Sequence, residues 1–135
     1  MVVDTSALLA VLLGEPERDR FIELLSAARD PLISAATLVE ASIVMRARFG
    51  DDGVGDLDDL VAAAGLRLVA VDAAQADLAR EAIARFGKGR APAALNYGDC
   101  FSYALARAAE RPLLFKGADF TRTDVVPAAR VGAER

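Results

Sequence analysis

Asp4 closes the run Met1-Val2-Val3-Asp4, where a short apolar strand meets a carboxylate and the helix-forming Thr5-Ser6-Ala7-Leu8-Leu9 follows. Three later acids, Glu40, Asp99 and Asp119, also follow short apolar segments or open helices. In an open α/β sheet, ligands bind in the crevice beyond the carboxyl ends of the strands, and all four acids can reach such a rim. Unpaired carboxylates held together repel and raise one another's pKa. A hard divalent cation relieves that cost, and an oxygen-only donor set selects Mg²⁺ or Mn²⁺ over zinc. Such an ion activates water and stabilises charge on a phosphoryl group. The chain has no histidine and one cysteine, Cys100. That excludes a Ser-His-Asp triad, a Cys-His pair, a histidine-dependent ribonuclease and a zinc site of histidine or thiolate ligands.

Each acid also has a purely architectural reading. Asp4 can cap the helix starting near Thr5 or Ser6. Thr37-Leu38-Val39-Glu40 fits a capping box, with Glu40 reaching back to a backbone N–H. Asp99 lies in the first turn after Asn96, where negative charge favours the helix dipole. Asp119 can cap a turn after the Leu113 to Phe115 strand. What caps alone do not explain is their joint arrangement. Asp4, Asp99 and Asp119 map to the same end of a parallel sheet, and Glu40 lies a turn into a helix whose side chains can point back towards them.

Lys88, Arg90, Lys116 and Arg122 flank two of these acids and are candidates for phosphate contacts on an otherwise acidic domain. Gly87-Lys88-Gly89 lacks the spacing and the Lys-Ser/Thr ending of a Walker loop. Phe101, Tyr103 and Phe115 read as core, and Cys100 as a small packing residue.

The elements that position these groups follow from periodicity and punctuation. Phe21, Leu24, Leu25 and Ala28 have helical spacing after Pro16. Pro31 to Ser34 reads as a buried strand. A helix from about Ala36 to Phe49 carries Val39, Ile43 and Ala47 on one face, and Gly50-Asp51-Asp52-Gly53 is a turn. Val54, Leu57, Val61 and Ala64 mark another helix. Leu66 to Val71 is a strand near an edge, because Arg67 must reach water. Leu78, Ala79, Ala82, Ile83 and Phe86 form the next helical face, Gly87 to Pro92 a loop, and Tyr97 to Glu110 a helix. Pro112 to Phe115 is a strand, with Asp124-Val125-Val126 as a last one. Strands alternating with helices imply a parallel sheet covered on both faces.

The 135 residues suffice for one domain with a sizeable core, and the 54% hydrophobic content is that of a folded chain. A net charge of −4 and a pI near 4.8 weigh against nucleic-acid binding through bulk charge, without excluding a local basic rim. The lone cysteine suits a reducing compartment. The N-terminus lacks the order of a signal peptide, and the best apolar run, Leu60 to Val71, is interrupted by Arg67. A cytoplasmic location, with no membrane association, is the expectation.

The chain resembles the PIN-domain ribonucleases, specifically the VapC toxins of type II toxin–antitoxin pairs. The resemblance is carried by Met1 to Leu8, by Ser34-Ala35-Ala36-Thr37-Leu38-Val39-Glu40-Ala41, by Ala94 to Ala106 with its Asn96-Tyr97-Gly98-Asp99 core, and by Leu113 to Asp124. It spans essentially the whole chain, read as a single PIN domain over residues 1–135 with a disordered tail in the last few. It implies a PIN-like three-layer α/β/α sandwich with a short parallel sheet and Mg²⁺-dependent endonucleolytic hydrolysis of RNA, with Mn²⁺ as a substitute. It also implies a homodimer and a cognate antitoxin. The family's acidic quartet carries over to Asp4, Glu40, Asp99 and Asp119, with Asp4 and Asp99 as the principal metal ligands. A hydroxyl near the first acid, Thr5 or Ser6, helps hold the site, and Asp124 rivals Asp119 as the fourth acid. Relatives with a similar Gly-Lys-Gly segment often carry histidine where this chain has Ala91, which leaves that loop position without its usual side chain.

Two other functions compete. An aspartyl-phosphate phosphatase would use Asp4 as nucleophile, but the second Asp expected two residues on is Ser6. A catalytically silent PIN-like binding domain would normally have lost an acid, and none is missing.

Overall fold

Four two- or three-residue strands make a parallel sheet in the order β3-β2-β1-β4. They are β1 (Val2–Val3), β2 (Leu32–Ser34), β3 (Arg67–Val69) and β4 (Leu113–Leu114). The computed structural model describes residues 1–89 and 94–129. Val2 pairs with Leu32 on one side and Leu113 on the other, and Ile33 pairs with Leu68. Because successive strand residues point to opposite faces, Val2, Leu32 and Leu113 feed one core and Val3, Ile33 and Leu114 the other. Each fully buried aliphatic side chain contributes about 1.5–3 kcal/mol, which is how strands this short hold their places.

Helices α1 (Thr5–Leu12), α2 (Arg18–Ala27) and α3 (Ala35–Ala63) cover the Val3 face, through Leu8, Phe21, Leu25, Met45 and Leu57. Helices α4 (Ala73–Phe86) and α5 (Tyr97–Ala109) cover the Val2 face, through Ala79, Ala82, Tyr103 and Leu105. The result is the expected three-layer α/β/α sandwich. The chain steps outward from β1 to β2 to β3 on one side, then crosses back over the other side to β4. The winding therefore reverses between β1 and β4, the position beyond whose strand ends open α/β sheets bind their ligands.

Several elements differ from the sequence reading. Gly50, expected within a four-residue turn, is a single kink (φ 65°, ψ −149°) between two helical halves of α3, and Asp51 already belongs to the second half. The face of Val39 and Ile43 does not enter the core. These residues are 60% and 64% exposed, while Thr37, Ala41 and Met45 face inward. Both stripes have helical spacing, and periodicity alone does not say which one meets the sheet. The last expected strand, Asp124 to Val126, is not one: Pro127 makes an isolated bridge to Leu113. Asp124 instead accepts hydrogen bonds from the Tyr103 hydroxyl at 2.7 Å and from Arg107 at 2.7 Å. Arg67 lies on edge strand β3 as expected, where its guanidinium takes the Asp30 carboxylate through two 2.9 Å bonds. The expected tail, from residue 130 on, lies outside the described residues.

Candidate active site

Asp4 follows β1 directly and caps α1, its Oδ2 accepting from the Ser6 N–H at 3.0 Å. The same oxygen accepts from the Ser6 hydroxyl at 2.7 Å, and Oδ1 accepts from the Ser102 hydroxyl at 2.6 Å. Ser6 Oγ in turn accepts from the Lys116 N–H at 2.9 Å, which fastens the chain beyond β4 to the start of α1. Asp4 is 2% exposed. Burial pushes its pKa up, and the hydrogen bonds from Ser102 and Ser6 counter only part of that rise.

Asp99 opens α5 in a reciprocal capping box with Asn96. Its N–H donates to Asn96 Oδ1 at 3.0 Å, and its Oδ2 accepts from the Asn96 N–H at 3.0 Å. Burial raises its pKa most and the Asn96 N–H lowers it. The charges of Asp4, Asp119 and Glu40 then raise it further, to about 7. Asp4, Asp119 and Glu40 are thus near enough to act on Asp99, and none of the four forms an ion pair among the described residues.

Glu40 is not in a capping box. Ser34 caps α3 by accepting from the Ala36 N–H, and Thr37 is turned into the interior. Glu40 Oε1 accepts from the Thr5 hydroxyl, and its carboxylate lies over the Cα of Gly98. The two hydroxyls considered beside Asp4 therefore do different work: Ser6 holds Asp4 and Thr5 holds Glu40. Asp119 is exposed in the turn after β4. Of the two candidate fourth acids, Asp119 acts on Asp99, whereas Asp124 is taken up by Arg107 and Tyr103.

The basic residues divide. Lys88 and Arg122 are exposed and form no ion pair among the described residues. Lys116 is engaged, its ammonium 2.7 Å from Glu15 Oε2 and 3.3 Å from Glu17 Oε1, the latter without hydrogen-bond alignment. Arg90 and Ala91 lie outside the described residues, as does most of the loop that follows Gly89. Cys100 is buried, its thiol donates to the Tyr97 carbonyl, and burial pushes its pKa up to about 11, so it is a packing residue.

Sequence reasoning missed Ser102 and Thr37. Both are buried, their hydroxyl oxygens lie 3.2 Å apart, and Ser102 reaches Asp4. The available signal was spacing: Ser102 sits three residues after Asp99, on the same side of one helical turn.

The donor set is one for a hard divalent cation: carboxylates and hydroxyls, no imidazole, and a thiol that burial keeps protonated. Among the described residues no three acidic, histidine or cysteine side chains stand close enough to enclose an ion by themselves. Mg²⁺ does not need such a cage, since it keeps several waters and attaches through one or two carboxylates.

The chain has relatives among known proteins. The PIN domain profile matches residues 1–126. The chain is 50% identical over 129 residues to "Ribonuclease VapC30" of Mycobacterium tuberculosis, covering 96% of this chain and 98% of that one. It is 54% identical over 129 residues to "Ribonuclease VapC" of Mycolicibacterium smegmatis, covering 93% and 97%. Among solved structures, its fold is similar to VapC20 of Mycobacterium tuberculosis, described as a Sarcin-Ricin loop cleaving toxin. The TM-score is 0.77 at 20% identity, over 96% of this chain and 98% of that one. VapBC2 of Rickettsia felis, solved with a DNA fragment from its promoter, shares the fold with a TM-score of 0.73 at 15% identity, over 93% and 94% of the two chains.

Proposed function

The chain belongs to the PIN-domain family and, within it, to the VapC ribonucleases, the toxins of toxin–antitoxin pairs, and from that premise we propose how its residues divide the work of a metal-dependent endoribonuclease. Asp4 and Asp99 are the ligands of a divalent cation, Mg²⁺ with Mn²⁺ as substitute. When bound, the ion supplies charge stabilisation at the scissile phosphate and acidifies the attacking water. Glu40 orients that water and takes its proton, because Thr5 holds its carboxylate in one place and a general base must sit within hydrogen-bond reach. Asp119, exposed at the rim, completes the negative field that attracts the ion. Lys88, Arg90 and Arg122 contact RNA phosphates, and Lys116 contributes less because Glu15 and Glu17 already hold it.

The observation that carries this reading is a buried Asp99 beside three further acids with no ion pair to any of the four among the described residues: burial first, then the charges of Asp4, Asp119 and Glu40, push Asp99 up to about 7. A phosphatase using Asp4 as nucleophile is disfavoured, since the second Asp that such chemistry expects two residues on is Ser6, which is itself taken up by Asp4 and the Lys116 N–H.

The family position brings an antitoxin partner. Its inhibitory segment covers the acidic cleft with an arginine, whose guanidinium takes a carboxylate in bidentate fashion and replaces the cation's charge. The exposed Val39 and Ile43 stripe supports a homodimer. Among the described residues no helix is long and apolar enough to cross a membrane, and we place the protein in the cytoplasm with its RNA. The test is cleavage of a mixed RNA pool by purified protein in chelator, then with Mg²⁺ or Mn²⁺ restored. Cleavage that persists in chelator rejects the metal-dependent reading.

A further inference from the structure

We infer that Ser102 is a positioning residue for the cleavage reaction: its hydroxyl sets the plane of the Asp4 carboxylate and ties that carboxylate to the helix carrying Asp99. The inference rests on the assignment of Asp4 and Asp99 as cation ligands.

Ser102 Oγ lies 2.6 Å from Asp4 Oδ1 across a sequence separation of 98 residues. Ser102 is 0% exposed, so solvent does not compete for this bond. A serine hydroxyl has one proton to give, and an ionised carboxylate only accepts. The proton therefore points to Asp4. The 3.2 Å contact between Ser102 Oγ and Thr37 Oγ1 then has Thr37 as its donor. A directed relay runs from Thr37 on α3 through Ser102 on α5 to Asp4 at the head of α1, each hydroxyl oriented by the next.

The terminal torsion of an aspartate is broad and roughly two-fold. Ser6 grips only Oδ2, through its N–H at 3.0 Å and its hydroxyl at 2.7 Å. Those two bonds alone leave the carboxylate able to pivot about Oδ2. Ser102 takes Oδ1 and removes that freedom. Because Ser102 stands one turn beyond Asp99 on α5, the relation between the two carboxylates is set by a helix. Outer partners of metal ligands are typically worth about 10–100-fold in metal affinity.

The competing account is that Ser102 merely satisfies a buried carboxylate. Its loss would then lower stability and leave cation affinity alone. Mn²⁺ binding to the full, metal-free chain separates the two. It is followed by calorimetry and by the electron paramagnetic resonance of the bound ion, with unfolding in chelator as the check on the fold. Ser102→Ala is expected to fold and to bind Mn²⁺ at least about tenfold more weakly, with an altered spectrum. Thr37→Val, which removes only the relay's first donor, is expected to show a smaller loss in the same direction. Wild-type affinity in Ser102→Ala beside lost affinity in Asp4→Asn overturns the role of Ser102 and leaves the ligand assignment standing. Wild-type affinity in both Asp4→Asn and Asp99→Asn overturns the assignment and the proposal with it. Should Ser102→Ala not fold, Thr37→Val decides, and unchanged affinity there overturns the proposal.

Discussion

The carboxylate of Glu40 occupies the space a side chain at position 98 would need: a Cβ on Gly98 would collide with Glu40 Oε2. A side chain at position 98 would thus have to push the end of Glu40 aside, while Gly98's own backbone angles make no demand for glycine. In the sequence Asn96-Tyr97-Gly98-Asp99 the glycine lets a carboxylate from α3 lie against the first turn of α5, beside Asp99.

Gly98→Ala should therefore act on the site and spare the fold. Alanine favours a helix over glycine by roughly 0.5–1 kcal/mol. The displaced Glu40 loses its Thr5 hydrogen bond, worth about 0.5–1.5 kcal/mol. The two nearly cancel, so the unfolding midpoint should barely move while RNA cleavage falls at least about tenfold. A variant that cleaves at the wild-type rate would remove Glu40's position from the mechanism.

Asp4→Asn and Asp99→Asn should each abolish cleavage and leave the fold intact or steadier. Each removes a ligand charge but also relieves carboxylate repulsion. The loss should exceed the about 10–100-fold that changes in outer partners cost. Cleavage assays at ordinary Mg²⁺, paired with melting curves, check both halves. Full activity in a folded variant would strike that residue from the site, and unfolding of both would leave helix capping as their main work.

Stability of the metal-free protein should fall as pH rises from about 4 to about 7. Asp99, pushed up to about 7 in the fold, keeps a proton there that the unfolded chain, with a carboxylate near its ordinary value of about 4, has released. Its favourable contribution is complete below about pH 4 and gone above about pH 7. Asp4, also raised, acts in the same sense. Asp30, held down to about 2 chiefly by its hydrogen bonds with Arg67, acts oppositely and only at lower pH. Urea unfolding in chelator at pH 5 and pH 8 should show the decline in wild type and a shallower one in Asp99→Asn. Mg²⁺ at pH 8 should recover stability in wild type alone, by binding the folded state. Equal pH dependence in the two proteins would contradict the assignment.

RNA binding should draw on Lys88 and Arg122 more than on Lys116. Each phosphate neutralised on a single strand contributes about −0.7 to the slope of log K against log salt. Replacing Lys88 and Arg122 together by alanine, in a catalytically dead Asp99→Asn background, should flatten that slope by roughly 1.4. It should weaken binding alike across sequences, because phosphate contacts do not read bases. Lys116→Ala should change the slope less, since Glu15 and Glu17 already neutralise it. A larger effect from Lys116 would contradict this ranking.

The sequence by itself determined what local chemistry and short-range periodicity can express. Val2-Val3-Asp4 announces a strand that ends in a carboxylate, and Asn96 with Asp99 announces a helix start. The absence of histidine leaves oxygen ligands as the material of a site. Only the tertiary structure decided which of two stripes on α3 is core, since Val39/Ile43 and Ala41/Met45 both repeat at helical spacing and the sheet meets just one. It likewise chose Asp119 over Asp124 for the neighbourhood of Asp99, because Arg107 and Tyr103, brought alongside by α5, capture Asp124. The hydroxyls of the site are tertiary products too. Thr5 meets Glu40 across 35 residues, Thr37 meets Ser102 across 65, and Ser102 meets Asp4 across 98. A serine or threonine reads the same in sequence whether its hydroxyl ends in water or on a buried carboxylate, and that difference arises only when the layers of the sandwich close on one another.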